Sequence, residues 1–282
     1  MKDVIKSQLH GLGVAKGDVI FIGADLMRVG YFNKSVEQTC RDWVDILIEL
    51  VGDDGTLIIP AYTKSNWVWR SQNLPLFTLD TPPSAGALSD AIFASDKFKR
   101  SQHPTNSCLG FGKHSDYILK DHDESAGAYL PYHKVIELGG KNLMLGGLSD
   151  GHLCPMAIHA VQDKYNVLKR NWASGLLGCR YYDKTGRKRV FIRNDVGGCT
   201  AFGEKVLGKH FIKSAITVAK VGRSYSFLID TKKSFTIFED YVEDSRVTLR
   251  CENTGCPDCY GSPIFLNIFF WVKFLWRKFR SK

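Results

Sequence analysis

Two kinds of apolar pattern alternate along this chain. Val19-Ile20-Phe21-Ile22, Thr56-Leu57-Ile58-Ile59-Pro60 and Asn142-Leu143-Met144-Leu145-Gly146-Gly147 are short apolar runs, entered through the turn sequences Lys16-Gly17-Asp18, Gly52-Asp53-Asp54-Gly55 and Gly139-Gly140-Lys141. Runs of that length bounded by turn residues read as buried strands. Between the first two, Val36, Cys40, Trp43, Val44, Ile46, Leu47, Leu50 and Val51 recur at helical spacing, which predicts an amphipathic helix over 35–51. Further helices are expected at the amino terminus around Val4, Ile5 and Leu9, and over 86–93, 132–138 and about 155–165. A polar, aromatic loop is expected between Asn66 and Pro83. Strand, helix, strand is how a sheet with covering helices begins, so the fold class is α/β, a mostly parallel sheet flanked by helices.

After residue 165 the character changes. Residues 189–193 and 225–238 alternate as antiparallel strands do, and 201–207 predicts a helix, so the later portion is β-rich. No internal repeat and no clear linker divides the chain. The expected organisation is a body over 1–250, a cysteine-bearing segment over 251–263 and a basic, aromatic tail over 264–282.

Composition narrows the function classes. With 282 residues and 44% hydrophobic positions, the chain can bury a sizeable core. The formal charge of +9 invites a nucleic-acid reading, but Lys273, Arg277, Lys278, Arg280 and Lys282 all lie in a terminal stretch without Asp or Glu. Removing those five leaves +4 on the preceding 263 residues, an ordinary surface balance that argues against nucleic acid as the partner. The start, Met1-Lys2-Asp3-Val4-Ile5-Lys6, lacks the apolar core of a signal peptide, and no run reaches the roughly 18 apolar residues of a spanning helix. A cytoplasmic body follows, and its eight cysteines are expected as thiols or metal ligands. Cys40, Cys108, Cys154, Cys179 and Cys199 stand singly and read as core residues.

Two late features carry chemistry of their own. Cys251, Cys256 and Cys259 are close enough in sequence to converge on zinc or an iron–sulfur cluster, with a fourth ligand drawn from Cys199 or a histidine. The tail carries seven aromatics and five cations, and its polar residues fall mostly on one side of a helix that Phe270 and Phe274 interrupt. A segment of this kind suits the interface of an anionic membrane; docking on the body or on another subunit of an oligomer is the other use of the same surface.

Four segments in order resemble the aminoglycoside 3-N-acetyltransferase family. They are Gly17-Asp18-Val19-Ile20-Phe21-Ile22-Gly23-Ala24-Asp25-Leu26-Met27-Arg28-Val29-Gly30; Gly55-Thr56-Leu57-Ile58-Ile59-Pro60-Ala61-Tyr62-Thr63; Arg100-Ser101-Gln102-His103-Pro104-Thr105-Asn106-Ser107; and Leu130-Pro131 through Gly139-Gly140-Lys141 to Leu145-Gly146. A weaker match runs from Ala157-Ile158-His159 to Trp172, and the resemblance spans about residues 5–245. It implies acetyl-coenzyme A as co-substrate and the amino group of an aminosugar as acceptor. Ala24, Asp25 and Leu26 would then form the cofactor loop, offering backbone N–H groups to a pyrophosphate, with N-capping as the alternative role of Asp25. His103, Pro104, Thr105 and Ser107 would lie along the pantetheine arm, the alternative being a turn whose hydroxyls satisfy their own backbone. His159 would be the general base that direct transfer to an amine requires, oriented by Gln162 one helical turn on.

The chain departs from the family at Asp25 and Leu130, where a Ser or similar residue is usual, and at Gln162, where the family has Glu; Asp163 or Asp150 would have to supply the missing charge. These departures leave two alternatives: a catalytically altered ligand- or partner-binding member, and a metal-dependent enzyme built on the late cysteines. If those thiols are ligands, protein prepared without oxygen copurifies with zinc or a brown chromophore, and elemental analysis giving under about one-tenth metal per chain eliminates the idea.

Overall fold

The computed structural model describes residues 2–69, 71–147, 155–166, 174–195, 206–245, 252–260 and 268–280. Three of its strands are the apolar runs of the sequence: β1 (Val19–Ala24), β2 (Thr56–Pro60) and, later, β6 (Lys141–Leu145). β1 lies between the other two and pairs with both in parallel, Val19 opposite Thr56 and Ala24 opposite Leu145. Among the described residues a seven-stranded sheet forms around this parallel centre. β4 (Lys99–Arg100) and β5 (Cys108–Gly112) extend it antiparallel beyond β2, and β9 (Ile216–Val221) and β10 (Ser224–Asp230) do so beyond β6. A separate three-stranded antiparallel sheet joins β3 (Asn66–Trp67), β7 (Leu177–Tyr182) and β8 (Lys188–Ile192).

Side chains on the central strands divide between the sheet's faces with a period of two. Ile20, Ile22, Leu57 and Ile59 enter one core cluster together with α1 (Lys2–Leu12), α3 (Val36–Val51) and α4 (Ala87–Ala94). Val19, Phe21 and Ile58 enter another, on the side of α5 (Ser115–Leu119), α6 (Leu130–Glu137) and α7 (Met156–Lys164). Both faces are covered by helices, which explains the continuous apolar runs.

One expectation is corrected. Residues 225–238 are not strand throughout: β10 ends at Asp230 and Thr231–Ser245 is a helix, which we label α9 after α8 (Leu207–Ile212). Phe235 and Ile237 imitate alternation locally, but the buried positions Thr231, Ser234, Ile237 and Phe238 follow the three-to-four spacing of a helix. Of the helix expected over 201–207, positions 201–205 lie outside the described residues.

Helix α7 is fastened to the sheet by one side chain. Its N-cap position is Pro155, which provides no capping bond. Instead Asn142, on β6 and 2% exposed, accepts a hydrogen bond from the Met156 N–H at 2.9 Å and donates through Nδ2 to the Phe21 carbonyl at 3.2 Å. Losing it leaves buried polar groups unanswered, at about 1–3 kcal/mol. Asn142→Ala is therefore expected to lower the unfolding free energy measured by urea titration by that amount and to speed amide exchange in the first turn of α7 more than in β1; uniform exchange across both would show that the bridge does not hold the helix.

Candidate active site

Ligands of open α/β sheets bind at the carboxyl ends of parallel strands, where the strand order departs in two directions from one strand. Here that strand is β1, and a cavity of about 320 Å³ opens at its end. Ala24 and Asp25 follow from β1, Pro60 and Tyr62 from β2, and Leu145, Gly146 and Gly147 from β6; Arg28, Tyr132, Met156 and His159 close the wall from the helices. Gly146 has φ 70°, and a Cβ there would approach the Asp25 carbonyl oxygen to 2.6 Å, so only glycine lets β6 finish this close to the β1 loop.

Asp25 is the N-cap of α2 (Leu26–Val29): a carboxylate oxygen accepts from the Arg28 N–H at 3.2 Å, and the other lies 3.1 Å from Arg28 Nε. The chain's own carboxylate thus takes one of the N–H groups of this loop, the capping role that is the alternative for Asp25. Ala24 and Asp25 do line the cavity, whereas Leu26 is 4% exposed and belongs to the core.

His159 is partly exposed where α7 borders the cavity. Its Nδ1 lies 3.3 Å from Oε1 of the fully buried Gln162. Because an amide oxygen only accepts, that contact is made with the proton on Nδ1. Tyr129 stacks on the imidazole at 5.3 Å and 2°, and Tyr132 presents an edge at 6.4 Å. Burial pushes the His159 pKa below its ordinary value, opposed by the Gln162 contact and by the negative charge of Asp195. Asp163 does not reach this imidazole; it pairs with His133 at 2.9 Å. Asp150 and Trp172 lie outside the described residues.

The segment His103-Pro104-Thr105-Asn106-Ser107 is buried throughout and lines no part of this cavity. Its hydroxyls are engaged within the protein: Thr105 Oγ1 donates to Asn106 Oδ1, and Ser107 Oγ donates to the Ala61 carbonyl at 2.7 Å while accepting from Arg100 Nε. These bonds form an internal brace that fixes the backbone before Tyr62, whose hydroxyl meets that of Tyr132 at 2.8 Å. His103 stacks on His122 at 4.8 Å, and burial holds the two imidazoles near pKa values of about 4 and about 3.

Arg193, Asn194 and Asp195, which follow β8, were not singled out by sequence reasoning. Asp195 is 4% exposed and receives a forked bond from Arg193, Nε to Oδ1 at 2.8 Å. The closest sequence signal is an Arg-x-Asp spacing at the end of an alternating strand, which has no functional meaning until the fold brings it beside α7.

Of the three cysteines considered as metal ligands, Cys251 lies outside the described residues, as do Cys154 and Cys199. Cys256 and Cys259 are buried in a small cluster with Tyr260. Among the described residues no three His, Cys, Asp or Glu side chains gather as a metal site.

Comparison with known proteins finds relatives across most of the chain. The chain is 30% identical over 261 residues to aminoglycoside N(3)-acetyltransferase III of Serratia marcescens, covering 85% of this chain and 96% of that protein. It is 23% identical over 173 residues to the SPbeta prophage-derived aminoglycoside N(3')-acetyltransferase-like protein YokD of Bacillus subtilis (strain 168), a stretch spanning 54% of this chain and 62% of YokD. Its fold matches that of AAC-IIIb, solved as a binary with CoASH, with a TM-score of 0.68, 20% identity and coverage of 86% of this chain and 96% of that one. The family model for aminoglycoside 3-N-acetyltransferase matches residues 21–243, and the chain belongs to that family.

Proposed function

We propose that this protein is an acetyl-coenzyme A-dependent N-acetyltransferase acting on an amino group of an aminosugar, with His159 as general base. The observation that carries the reading is the placement of His159: its ring enters the cavity at the carboxyl ends of the parallel strands, with Nδ1 turned to Gln162. Acetyl-coenzyme A supplies the acyl thioester. The acceptor nitrogen attacks the thioester carbonyl, its proton passes to His159 Nε2, and coenzyme A leaves with the sulfur. Burial keeps the imidazole neutral at neutral pH, as a base must be. Asp195 supplies negative charge in place of the glutamate that Gln162 replaces, at longer range and without taking the ring's proton.

On this reading Ala24 and Asp25 border the coenzyme, and Arg28, held by Asp25, is the cation placed to meet an anionic group. His103, Pro104, Thr105 and Ser107 support that wall from behind. The acceptor we favour is a biosynthetic aminosugar of surface polysaccharide, met at the cytoplasmic face of a membrane where the tail would hold the enzyme; an aminoglycoside-like sugar fits the same chemistry. A second reading, a ligand-binding member without transfer, is favoured by the uncharged Gln162 alone.

Titration calorimetry separates the two: acetyl-coenzyme A should bind, and thiol should be released when an aminosugar is added, whereas absence of both supports the second. His159→Ala should lower turnover at least about a hundredfold with coenzyme affinity little changed. Undiminished turnover would remove His159 from the role. The acidic limb of the pH–rate profile should fall below pH 6.5, since protonation through a lowered pKa abolishes the base. Gln162→Glu should move that limb to higher pH and Asp195→Asn to lower pH; a profile unmoved by the first would show that residue 162 does not contact the base.

A further inference from the structure

The helix Ile268–Arg280, α11 in chain order after the short α10 (Pro257–Tyr260), lies beyond the family match and is not needed to build the cavity. With 100° per residue, its described side chains sort into three sectors. One is turned inward: Trp271 is 6% exposed, and Phe270 and Phe274 are half-buried and stack on each other at 6.2 Å. These are the aromatics that break the polar side in the sequence projection, and Phe270 and Phe274 border a crevice with Asn253, Thr254 and Gly255. The second sector, about 120° wide, carries Ile268, Phe269, Val272, Leu275, Trp276 and Phe279, each at least 48% exposed. Lys273, Arg277 and Arg280 occupy the adjoining third sector, all exposed, and no acidic residue follows Asp258.

An apolar face this continuous is unusual on a surface that meets only water. Its neighbours decide what covers it. Three described cations, Lys273, Arg277 and Arg280, along one border, with Arg280 stacked over Trp276 at 4.0 Å, complement a layer of anionic headgroups above an apolar interior. Another copy of the same helix would bring like charges together. At about 1.5 Å per residue its 13 residues run about 20 Å, too short to cross the roughly 30 Å of a bilayer but suited to lying along it. We propose that α11 is an interfacial anchor for anionic lipid, in which Trp271, Phe270 and Phe274 secure the helix on the protein side while Phe269, Val272, Trp276 and Phe279 enter the headgroup boundary. The proposal rests on the membrane location given above, not on acyl transfer, and is tested without substrate so that the two can fail separately.

Full-length protein should cosediment with phosphatidylcholine vesicles containing phosphatidylglycerol at least about tenfold more tightly than with phosphatidylcholine alone, since each surface cation contributes about fivefold. High salt should remove most of that preference. Phe269→Glu with Trp276→Glu, both at exposed positions, should abolish binding while leaving the circular dichroism unchanged. Lys273→Glu with Arg280→Glu should remove the anionic preference. In a Trp271→Phe background, Trp276 is the tail tryptophan whose emission should shift to the blue on vesicles. No binding by the folded full-length chain overturns the proposal. So does a concentration-dependent dimer in sedimentation equilibrium that Phe269→Glu dissociates, which would make this face a contact between copies.

Discussion

Helix α7 starts at a proline and has no capping side chain of its own, so its first amide must be answered from elsewhere. Asn142 answers it from inside the sheet while its other end holds the β1 carbonyl at Phe21. A buried amide with both ends engaged is costly to disturb, and it fixes two distances together: that between β1 and β6, and that between the sheet and the helix bearing His159. The rest of the site depends on that fixture. Tyr129 and Tyr132 on the α6 side can pack against the imidazole only because α7 cannot slide, and Gly146 brings the end of β6 close enough to Asp25 to close the remaining wall.

Polar groups at and behind the cavity wall are arranged so that few of them are free to respond to a ligand. Ser107, Thr105 and Arg100 brace the chain leading to Tyr62, and Asp25 caps its own helix and holds Arg28. This is preorganisation of the sort a transferase needs, with the polar partners set before a substrate arrives. Among the described residues, a negative charge acting on His159 comes from outside its own helix: Asp195, held by a forked bond with Arg193, so the field at the imidazole depends in part on a segment that follows the second sheet.

The central architecture was legible because burial on both faces leaves a plain mark: β1, β2 and β6 are apolar at nearly every position, and α3 shows its core stripe at the expected spacing. Harder to read were strands whose pairing, not composition, defines them. Cys108–Gly112 is two-fifths glycine, and Ile216–Val221 is buried at both ends but exposed at Thr217 and Lys220, without the alternation that marks a strand. Within the site, His159, Ala24 and Asp25 were placed by resemblance, and the cavity brings them together. Asn142, Arg193 and Asp195 were not, because their meaning lies in contacts across more than one element. The hydroxyls of Thr105 and Ser107 illustrate the converse: a sequence shows a donor but not whether an acceptor within the chain already lies in front of it.

The stacked pair His103 and His122 sets a limit on the acid side. Both rings are buried and their protonation is disfavoured by that burial, so between pH 6.5 and their lowered values the unfolded chain takes up protons that the folded one refuses. Stability contributed by this pair is whole above pH 6.5 and drains away as the pH falls toward 4 and then 3. Proton uptake at either ring would place a cation against its neighbour 4.8 Å away, and the brace that carries Tyr62 begins at His103. Acidification therefore loosens the scaffold that carries Tyr62 before any group in the cavity itself is considered.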